Sequence, residues 1–322
     1  MTPDPAGRPL LLHVGYHKTA TTWLQNTVFQ PPFGFRQILS HDEIFDRVIA
    51  PHGLDFDPAP LAALIAERRA APPAGTGVDV ISLEALSGRP YDGGRESDAY
   101  ARRLQAVAPG ARILVTIREQ HTILASIYMQ YLLRGGTESP QRFFDEKPFI
   151  GHAKFTADHF RYHRLVGLYQ DLFGADAVLA LPQETIAADQ AGAVRRLAAF
   201  CGNAGLLAEL ARDGWTARKE RGVSYPQFAV PALRRVNYFR RDALNPNPVI
   251  DLSGSRKQTY RAVGWMARHL PWPDALRRSR PVSAHVRARF AGHFADSNRA
   301  LAGQLIHDVD LNGYEGISTS ET

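Results

Sequence analysis

The sequence predicts a three-layer α/β fold in which a mostly parallel central sheet is flanked by helices and followed by a helical C-terminal extension. Short runs of apolar and β-branched residues indicate strands that are buried on both faces. Longer helical segments lie between these runs, and strands that alternate with helices in this way pair in parallel. Beyond residue 225 the strand signals stop and the chain becomes helical and rich in arginine, which predicts the extension.

The individual elements follow from local patterns. Apolar runs predict four strands, at residues 8–15, 78–83, 111–117 and 175–181. Helical patterns lie between and after them, at residues 21–29, 61–71, 98–108, 121–133, 158–173 and 185–200. Pro31 and Pro32 end the first helix, because proline has no N–H to continue the ladder, and Pro182 closes the last strand.

The length and composition fit one large domain. The chain has 322 residues, of which 44% are hydrophobic, so that a full core can be buried. We expect a single domain over residues 1–322, with an α/β core at 8–205, a basic helical part at 206–314 and a flexible tail at 315–322.

Cysteine usage and hydropathy point to a reducing compartment. Cys201 is the one cysteine of the chain, which excludes an internal disulfide framework. The early apolar run Leu10–Val14 is too short to cross a bilayer, and it lacks the flanks of a secretory signal. We expect a soluble cytoplasmic protein, with peripheral membrane contact left open.

The net charge of +6 conceals a strong asymmetry. Residues 215–290 hold 16 Lys and Arg against 4 Asp and Glu, a balance of 16 − 4 = +12, so the remainder sums to 6 − 12 = −6. This basic segment predicts an anionic partner or surface without saying which.

The segment 13–23, HVGYHKTATTW, suits anion binding. A strand runs into Gly15, then into Lys18 among small hydroxyl residues, and then into a helix. Free backbone N–H groups and the helix dipole attract an anion at such a helix start, and a lysine adds a full positive charge. The spacing is not that of a Walker A loop. An ordinary strand–helix turn with an exposed lysine is the alternative.

Residues 16–23 of this segment resemble the 5′-phosphosulfate loop of sulfotransferases that use 3′-phosphoadenosine-5′-phosphosulfate (PAPS), usually written Y-P-K-[ST]-G-T-T-W. His17 replaces the usual proline and Ala20 the usual glycine, and an alanine implies that the backbone there does not need a positive φ. The resemblance, closest to bacterial carbohydrate-type members, implies a P-loop-like fold with residues 8–205 as the nucleotide-binding core. It also implies nucleotide contacts from Lys18, Thr19, Ala20, Thr21, Thr22 and Trp23.

A second segment strengthens this resemblance. The family places an arginine at a strand end and a serine eight residues later as a clamp for the 3′-phosphate, and Arg118 and Ser126 have this spacing. A guanidinium fork matches a terminal phosphate, and a hydroxyl adds a directional donor. The segment 218–224 is loosely similar to the family's late nucleotide-closing loop, with Arg221 and Ser224 as candidates and a solvated charge run as the alternative. Residues 181–184 and 297–301 resemble recurrent bacterial segments.

Transfer to a hydroxyl needs a base for the acceptor's proton and a cation for the departing phosphate. Lys18 is the candidate for the cation. Glu84, just after the strand at 78–83, is the candidate base, since relatives that modify carbohydrates use a glutamate at the comparable place. His17, His41 and His121 are the competing bases. No histidines or cysteine are spaced as a metal site, and the family works without a required metal.

Two arginine-rich segments with aromatic residues, 233–241 and 256–268, remain open to three interpretations. They are solvated helix faces, an acceptor surface for a saccharide or lipid-linked saccharide at an anionic membrane, or a nucleic-acid surface, and no nucleic-acid module supports the last. The sequence thus predicts transfer of a sulfuryl group from PAPS to a hydroxyl or amine of a carbohydrate or glycolipid, leaving adenosine 3′,5′-bisphosphate. A nucleotide-dependent phosphotransferase and a non-catalytic nucleotide-binding protein are the alternatives.

Overall fold

The computed structural model describes residues 8–71, 77–145, 147–148, 150, 152–213, 215, 225–249 and 256–318, with the side chains of 256–260 left out. The predicted loop residues Arg221 and Ser224 lie outside the described residues, as do the last four residues of the predicted tail.

A parallel five-stranded sheet in the order β2-β3-β1-β4-β5 forms the centre of the described structure. Its strands are β1 (Leu10–His13), β2 (Phe35–Gln37), β3 (Val78–Ser82), β4 (Arg112–Ile117) and β5 (Val178–Pro182). The predicted parallel α/β fold is therefore confirmed. The prediction missed β2, which lies at the sheet edge and keeps Gln37 exposed.

Helices cover both faces of the sheet. Alternate residues of β1 point to opposite sides, so Leu10 and Leu12 join one apolar cluster while Leu11 joins the other. The first cluster includes side chains of α4, α5 and α7, and the second includes α9 and α10. The predicted three layers are present.

The helices predicted at 61–71, 98–108 and 121–133 lie within three residues of their predicted bounds, whereas those at 21–29 and 185–200 are broken. A single helix predicted over residues 185–200 is two helices, because the carboxylate of Asp189 accepts the Gly192 N–H and starts α9. The predicted helix at 21–29 is one α-turn followed by a π-helical turn, Leu24–Val28. The α-helices are α1 (Thr21–Trp23), α2 (His41–Ile44), α3 (Pro58–Ala70), α4 (Ser97–Val107), α5 (Gln120–Leu133), α6 (Pro140–Asp145), α7 (Tyr162–Phe173), α8 (Gln183–Ala188), α9 (Gln190–Cys201), α10 (Ala204–Asp213), α11 (Val230–Asn237), α12 (Arg256–His269), α13 (Asp274–Arg278), α14 (Pro281–Arg289) and α15 (Ala295–Gln304).

The C-terminal part is helical, as predicted, and it packs on the α/β core. Helix α14 contacts α5, α15 contacts α7, and α11 pairs with α12. Val282, Val286 and Leu301 bury their side chains in the first apolar cluster. Within the described ranges, no helix has both the length and the apolarity needed to cross a bilayer. The domain boundaries stay a prediction.

Candidate functional site

The candidate site lies at the carboxyl ends of three neighbouring strands. β1 pairs with β3 on one side, with His13 opposite Ser82, and with β4 on the other. The chain leaves these strands into the segments that carry Lys18, Glu84 and Arg118. Because the carboxyl ends of parallel strands share one edge of the sheet, three segments distant in sequence meet there.

Buried polar side chains of β1, β3 and β4 form a hydrogen-bonded network next to this edge. His13 is fully buried, and its Nδ1 lies 2.8 Å from the Ser82 hydroxyl oxygen and its Nε2 lies 3.1 Å from that of Thr116. Gln25 donates to the Ser82 hydroxyl over 3.0 Å. Burial lowers the pKa of His13 to about 3, so this imidazole is neutral and serves as a hydrogen-bonding spacer between the strands.

The loop backbone contains two left-handed residues. Lys18 has φ 69° and Ala20 has φ 65°, and they are the non-glycine residues with positive φ in the described parts of the chain. The expectation that an alanine at position 20 implies a negative φ is therefore wrong. A side chain in this conformation costs roughly 1–2 kcal/mol because Cβ crowds the backbone, and such strain is concentrated at functional sites.

Lys18 and Arg118 come together at this edge. The Nη1 group of Arg118 donates to the backbone carbonyl of Lys18 at 3.3 Å and to the hydroxyl of Ser126 at 3.2 Å. Burial and the neighbouring Arg118 charge lower the pKa of Lys18, with Glu84 opposing them. Two cations and a serine hydroxyl therefore converge from segments a hundred residues apart.

The hydroxyl residues of the loop divide into inward-facing and outward-facing ones. Thr19 is fully buried, and its hydroxyl bonds the Tyr16 carbonyl and lies 2.7 Å from the Thr116 hydroxyl. Because the Thr19 hydroxyl is already hydrogen-bonded, the predicted nucleotide contact of Thr19 would come from its backbone. Thr21 is buried with a hydroxyl that has no partner among the described residues, and Thr22 is exposed.

Trp23 and the half-buried Ala20 complete the loop. Trp23 is buried and meets Trp215 edge-to-face at 6.4 Å between ring centroids. Neither indole N–H has a hydrogen-bond partner among the described residues. Buried donors are normally paired, so these two N–H groups and the Thr21 hydroxyl mark polar atoms that a bound ligand could satisfy.

Glu84 lies close to both His17 and Lys18, because its charge acts on the pKa of each. Glu84 opens the 3-10 turn Glu84–Ser87 after β3, and its carboxylate makes no hydrogen bond or ion pair within the described part of the chain. Burial lowers the pKa of His17, with Glu84 acting in the opposite direction and Arg134 adding to the lowering. The Nε2 atom of His17 is buried without a partner in the described structure. Arg134, which follows α5, is a neighbour that sequence analysis missed, since nothing in its sequence surroundings marks it.

The other two competing bases are differently placed. His121 lies 2.8 Å from the Glu119 carboxylate through Nδ1 and 3.3 Å from the Phe290 carbonyl through Nε2. His41 is an exposed residue at the start of α2. Both nitrogens of His121 are therefore engaged away from the loop, and His17 is the histidine that accompanies Glu84.

Buried hydrogen bonds fix the segment that carries Arg118. Tyr162 donates to the Arg118 carbonyl at 2.6 Å, and Glu184 accepts the Glu119 N–H at 3.1 Å while receiving the Tyr314 hydroxyl at 3.1 Å. Glu184 belongs to the segment 181–184, which resembles recurrent bacterial segments, but the resemblance implied no role for it. Its position immediately after β5, at the same edge of the sheet, is the signal that could have identified it.

Glu119 starts α5 by capping its first turn. Its carboxylate accepts the N–H groups of His121 and Thr122 at 2.9 Å each and the Thr122 hydroxyl at 2.6 Å. Burial disfavours the charged form, but these hydrogen bonds outweigh it and lower the pKa of Glu119 to about 2. The cap orients α5, and with it Ser126.

The C-terminal helices reach the same place through Asn298. Gln120 and Asn298 are fully buried and exchange amide hydrogen bonds of 2.6 and 3.2 Å. Asn298 also donates to the Glu315 carbonyl. Helix α15 is thus joined to the residue two positions after Arg118, which accounts for the recurrent segment at 297–301.

This arrangement suits an anion with two separated charged groups. The loop offers Lys18, the Thr21 hydroxyl and left-handed backbone, and the second segment offers the Arg118 guanidinium beside Ser126. Glu84 is the carboxylate whose charge acts on both His17 and Lys18. The described residues therefore suit a phosphorylated anion, with the Glu84 carboxylate close to Lys18.

A comparison with known protein families finds one match. The model of the sulfotransferase family matches residues 98–204, about a third of the chain. The matched part contains Arg118 and Ser126 but not the loop with Lys18. The resemblance to sulfotransferases is thus confirmed for residues 98–204, which include the second motif. No curated protein matches the chain.

Two solved structures are similar to this chain. A sulfotransferase from Alicyclobacillus acidocaldarius has 21% identity and a TM-score of 0.45, over 61% of this chain and 81% of that one. Mouse sulfotransferase SULT7A1 complexed with PAP has 13% identity and a TM-score of 0.35, over 91% of this chain and 87% of that one.

Proposed function

We propose that this chain, whose residues 98–204 match the sulfotransferase family, transfers a sulfuryl group from PAPS to a hydroxyl or amine of a carbohydrate or glycolipid acceptor. The observation that carries the proposal is the pair of hydrogen bonds from Arg118, one to the Lys18 carbonyl and one to Ser126. This pair joins the two halves of the predicted nucleotide clamp.

The two halves of the clamp have separate tasks. Lys18 and the loop backbone bind the 5′ end, where the sulfuryl group is attached, and Arg118 with Ser126 binds the 3′-phosphate. As the bond between sulfur and the phosphate oxygen breaks, negative charge grows on that oxygen, and the Lys18 ammonium neutralises it. Burial and Arg118 destabilise the Lys18 ammonium and lower its pKa, so a neighbouring negative charge stabilises it.

Glu84 accepts the proton that the acceptor hydroxyl loses as its oxygen bonds to sulfur. Its carboxylate is free of hydrogen bonds and ion pairs within the described residues, so a substrate hydroxyl can reach it without displacing a partner. His17 stands beside it with a pKa lowered by burial. The products are the sulfated acceptor and adenosine 3′,5′-bisphosphate, and the proton leaves through Glu84.

A cavity next to the loop residue Tyr16 carries polar groups that could bind a sugar, although Lys18, His17 and Glu84 do not line it. It has a volume of about 240 Å³ and is bounded by Tyr16 and His159, and the His17 charge acts on the pKa of His159. Its other lining residues include Asp98, Asp158 and Arg161. Carboxylates and guanidinium groups supply the acceptors and donors that sugar hydroxyls require.

Calorimetry with adenosine 3′,5′-bisphosphate, compared with ATP plus Mg²⁺, tests the nucleotide assignment. We expect the bisphosphate to bind more tightly to the wild type, and Arg118→Ala to weaken it by about tenfold or more, because a charged hydrogen-bonding group is lost. Arg102→Ala, on the exposed face of α4, is the matched control. Tighter binding of ATP plus Mg²⁺ would favour the phosphotransferase alternative.

Single-turnover transfer of labelled sulfate from PAPS to a panel of monosaccharides, amino sugars and lipid-linked sugars tests the activity and the acceptor class. Label in a sugar product supports the proposal, and its position on oxygen or nitrogen identifies the bond formed. Tight bisphosphate binding with no transfer to any acceptor contradicts it and favours a non-catalytic binding protein.

A further inference from the structure

The basic C-terminal part contains a pocket that shares no lining residue with the candidate site. It has a volume of about 370 Å³ and lies between the turn at 225–228, helix α12 and the chain around α13. Among the described residues, three arginines line it and no carboxylate does: Arg268, Arg277 and Arg280. We call it the arginine pocket.

Arg268 lines this pocket, and among the described residues no carboxylate pairs with it. Its Nε and Nη2 atoms are buried without a hydrogen bond among the described residues, and its guanidinium lies 4.3 Å from the centroid of the Tyr225 ring. A cation–π contact stabilises the charge only in part and leaves the N–H donors unsatisfied. Because buried donors are normally paired, these two N–H groups are donors that an anion could satisfy.

The other two arginines of the lining, Arg277 and Arg280, are exposed. The side chain of Arg277 makes no hydrogen bond or ion pair within the described chain. Arg280 donates to the carbonyls of Arg277 and Ser279, which brings its guanidinium close to the end of α13. Neighbouring like charges repel each other, so this group is least stable when the pocket holds no anion.

One nearby carboxylate is directed elsewhere. Asp274 begins α13 and lies 3.9 Å from the guanidinium of Arg278, with both side chains largely exposed. Arg278 does not line the pocket. The helix thus carries two adjacent arginines in different surroundings, one at the pocket and one beside a carboxylate.

We propose that the arginine pocket binds a phosphate or sulfate monoester carried by a sugar-sized molecule. Three guanidinium groups can donate paired hydrogen bonds to a tetrahedral dianion. The volume of about 370 Å³ is that of a small-molecule site and exceeds what a bare ion requires. Such a site does not depend on the chemistry at Lys18, since none of its lining residues belongs to the candidate site.

The test compares two neighbouring residues of α13. Calorimetry at low ionic strength would measure binding of inorganic phosphate and glucose 6-phosphate, with adenosine 3′,5′-bisphosphate saturating the nucleotide site. We expect glucose 6-phosphate to bind, and Arg277→Ala to weaken it by about fivefold or more through loss of one charged donor. Arg278→Ala should bind as the wild type does. Both residues are exposed, so folding is not at risk.

A second variant and a second ligand complete the design. Arg268→Lys keeps the charge but loses the planar fork, and we expect it also to weaken binding. Vesicles of phosphatidylcholine with and without phosphatidic acid distinguish a lipid phosphate from a soluble one. If only the acidic vesicles bind, and glucose 6-phosphate does not, Arg277-dependent binding assigns the pocket to a lipid headgroup phosphate. Equal binding by wild type and Arg277→Ala overturns the proposal. So does loss of glucose 6-phosphate binding in Arg118→Ala, because the ligand would then bind at the nucleotide site.

Discussion

The phosphate loop and the arginine pocket hold positive charge in different ways. At the loop, Lys18 is set by left-handed backbone, by the contact from Arg118 and by the buried network around His13 and Thr116. At the pocket, Arg277 stands on a five-residue helix with no described side-chain partner. The loop is therefore held in its binding conformation by packing. Anion binding at the pocket depends instead on how many positive charges line it.

This difference separates two kinds of mutational effect. Substitutions under the loop should change stability and transfer together, because the site and the core share atoms there. Substitutions in the pocket should change binding alone and in a salt-dependent way, because exposed charges are screened. The predictions below test this separation in order of expected effect.

The largest effect is expected from Glu84→Gln. An amide cannot accept the proton of the acceptor, so we expect turnover to fall by roughly two orders of magnitude or more, while adenosine 3′,5′-bisphosphate binds as in the wild type. Single-turnover transfer at saturating PAPS measures the first quantity and calorimetry the second. Glu209→Gln, at a half-buried position of α10, is the control. Near-normal turnover of Glu84→Gln, with a loss in His17→Asn, would move the base to His17.

Gly15→Ala tests how closely the loop is packed on the network. A Cβ at position 15 would lie 1.8 Å from the Thr116 hydroxyl oxygen and 2.6 Å from Nε2 of His13. Nε2 of His13 and the Thr116 hydroxyl oxygen are buried and hydrogen-bonded to each other. The added methyl group must displace them, so we expect a loss on the order of 3 kcal/mol in the free energy of unfolding, together with weaker nucleotide binding. Denaturant melts measure the stability.

Gly110→Ala is the matched control for this change, since a Cβ there meets nothing within 4 Å. We expect its stability to stay within about 0.5 kcal/mol of the wild type. Equal stability of the two variants would mean that the loop start adapts freely, and the contrast with the arginine pocket would be lost.

The strands and the loop could be predicted from sequence because their signals are local. Buried parallel strands are continuous apolar runs, and the order of glycine, lysine and threonines before a helix indicates an anion site. Strand β2 gave no such signal, since it is three residues long and includes Arg36 and Gln37. Its assignment depends on pairing with β3, which sequence alone does not contain.

The finer features of the site arise from tertiary contacts. Sequence spacing suggested that Arg118 and Ser126 act together, but the hydrogen bond of Arg118 to the Lys18 carbonyl comes from the pairing of β1 with β4. The inward turn of the Thr19 hydroxyl follows from its neighbour Thr116. A motif names residue types, and the packing around it decides which of their atoms remain free for a ligand.

Glu119→Gln tests the cap that orients α5 and Ser126. The pKa of Glu119 lies at about 2, below its ordinary 4.5, so its charge stabilises the fold fully above pH 4.5 and this stabilisation is lost as pH falls toward 2. Its hydrogen bond raises the pKa of His121 above 6.5, so the imidazolium contributes below 6.5 and is lost as pH rises through the raised value. We expect a destabilisation of about 2 kcal/mol between pH 4.5 and 6.5.

The pH profile of that difference is the measurement. In melts of wild type and Glu119→Gln from pH 3 to pH 8, the difference should be largest near pH 5.5, shrink as pH falls from 4.5 to 3, and be smaller at pH 8, where the neutral cap remains. A difference that grew continuously toward pH 3 would contradict the assignment. Glu67→Gln on the exposed face of α3 should show no such profile.

Ala20→Gly should have the smallest effect and the opposite sign. Removing Cβ at φ 65° relieves a strain of roughly 1–2 kcal/mol, but glycine gains freedom in the unfolded chain that offsets part of it. We therefore expect a net stabilisation of about 0.5–1 kcal/mol by denaturant melts, with nucleotide binding unchanged or tighter. Ala66→Gly, an exposed interior position of α3, should destabilise by about 1 kcal/mol. If both changes destabilise alike, the left-handed backbone at position 20 is not present in solution, and the preorganisation attributed to the loop is lost with it.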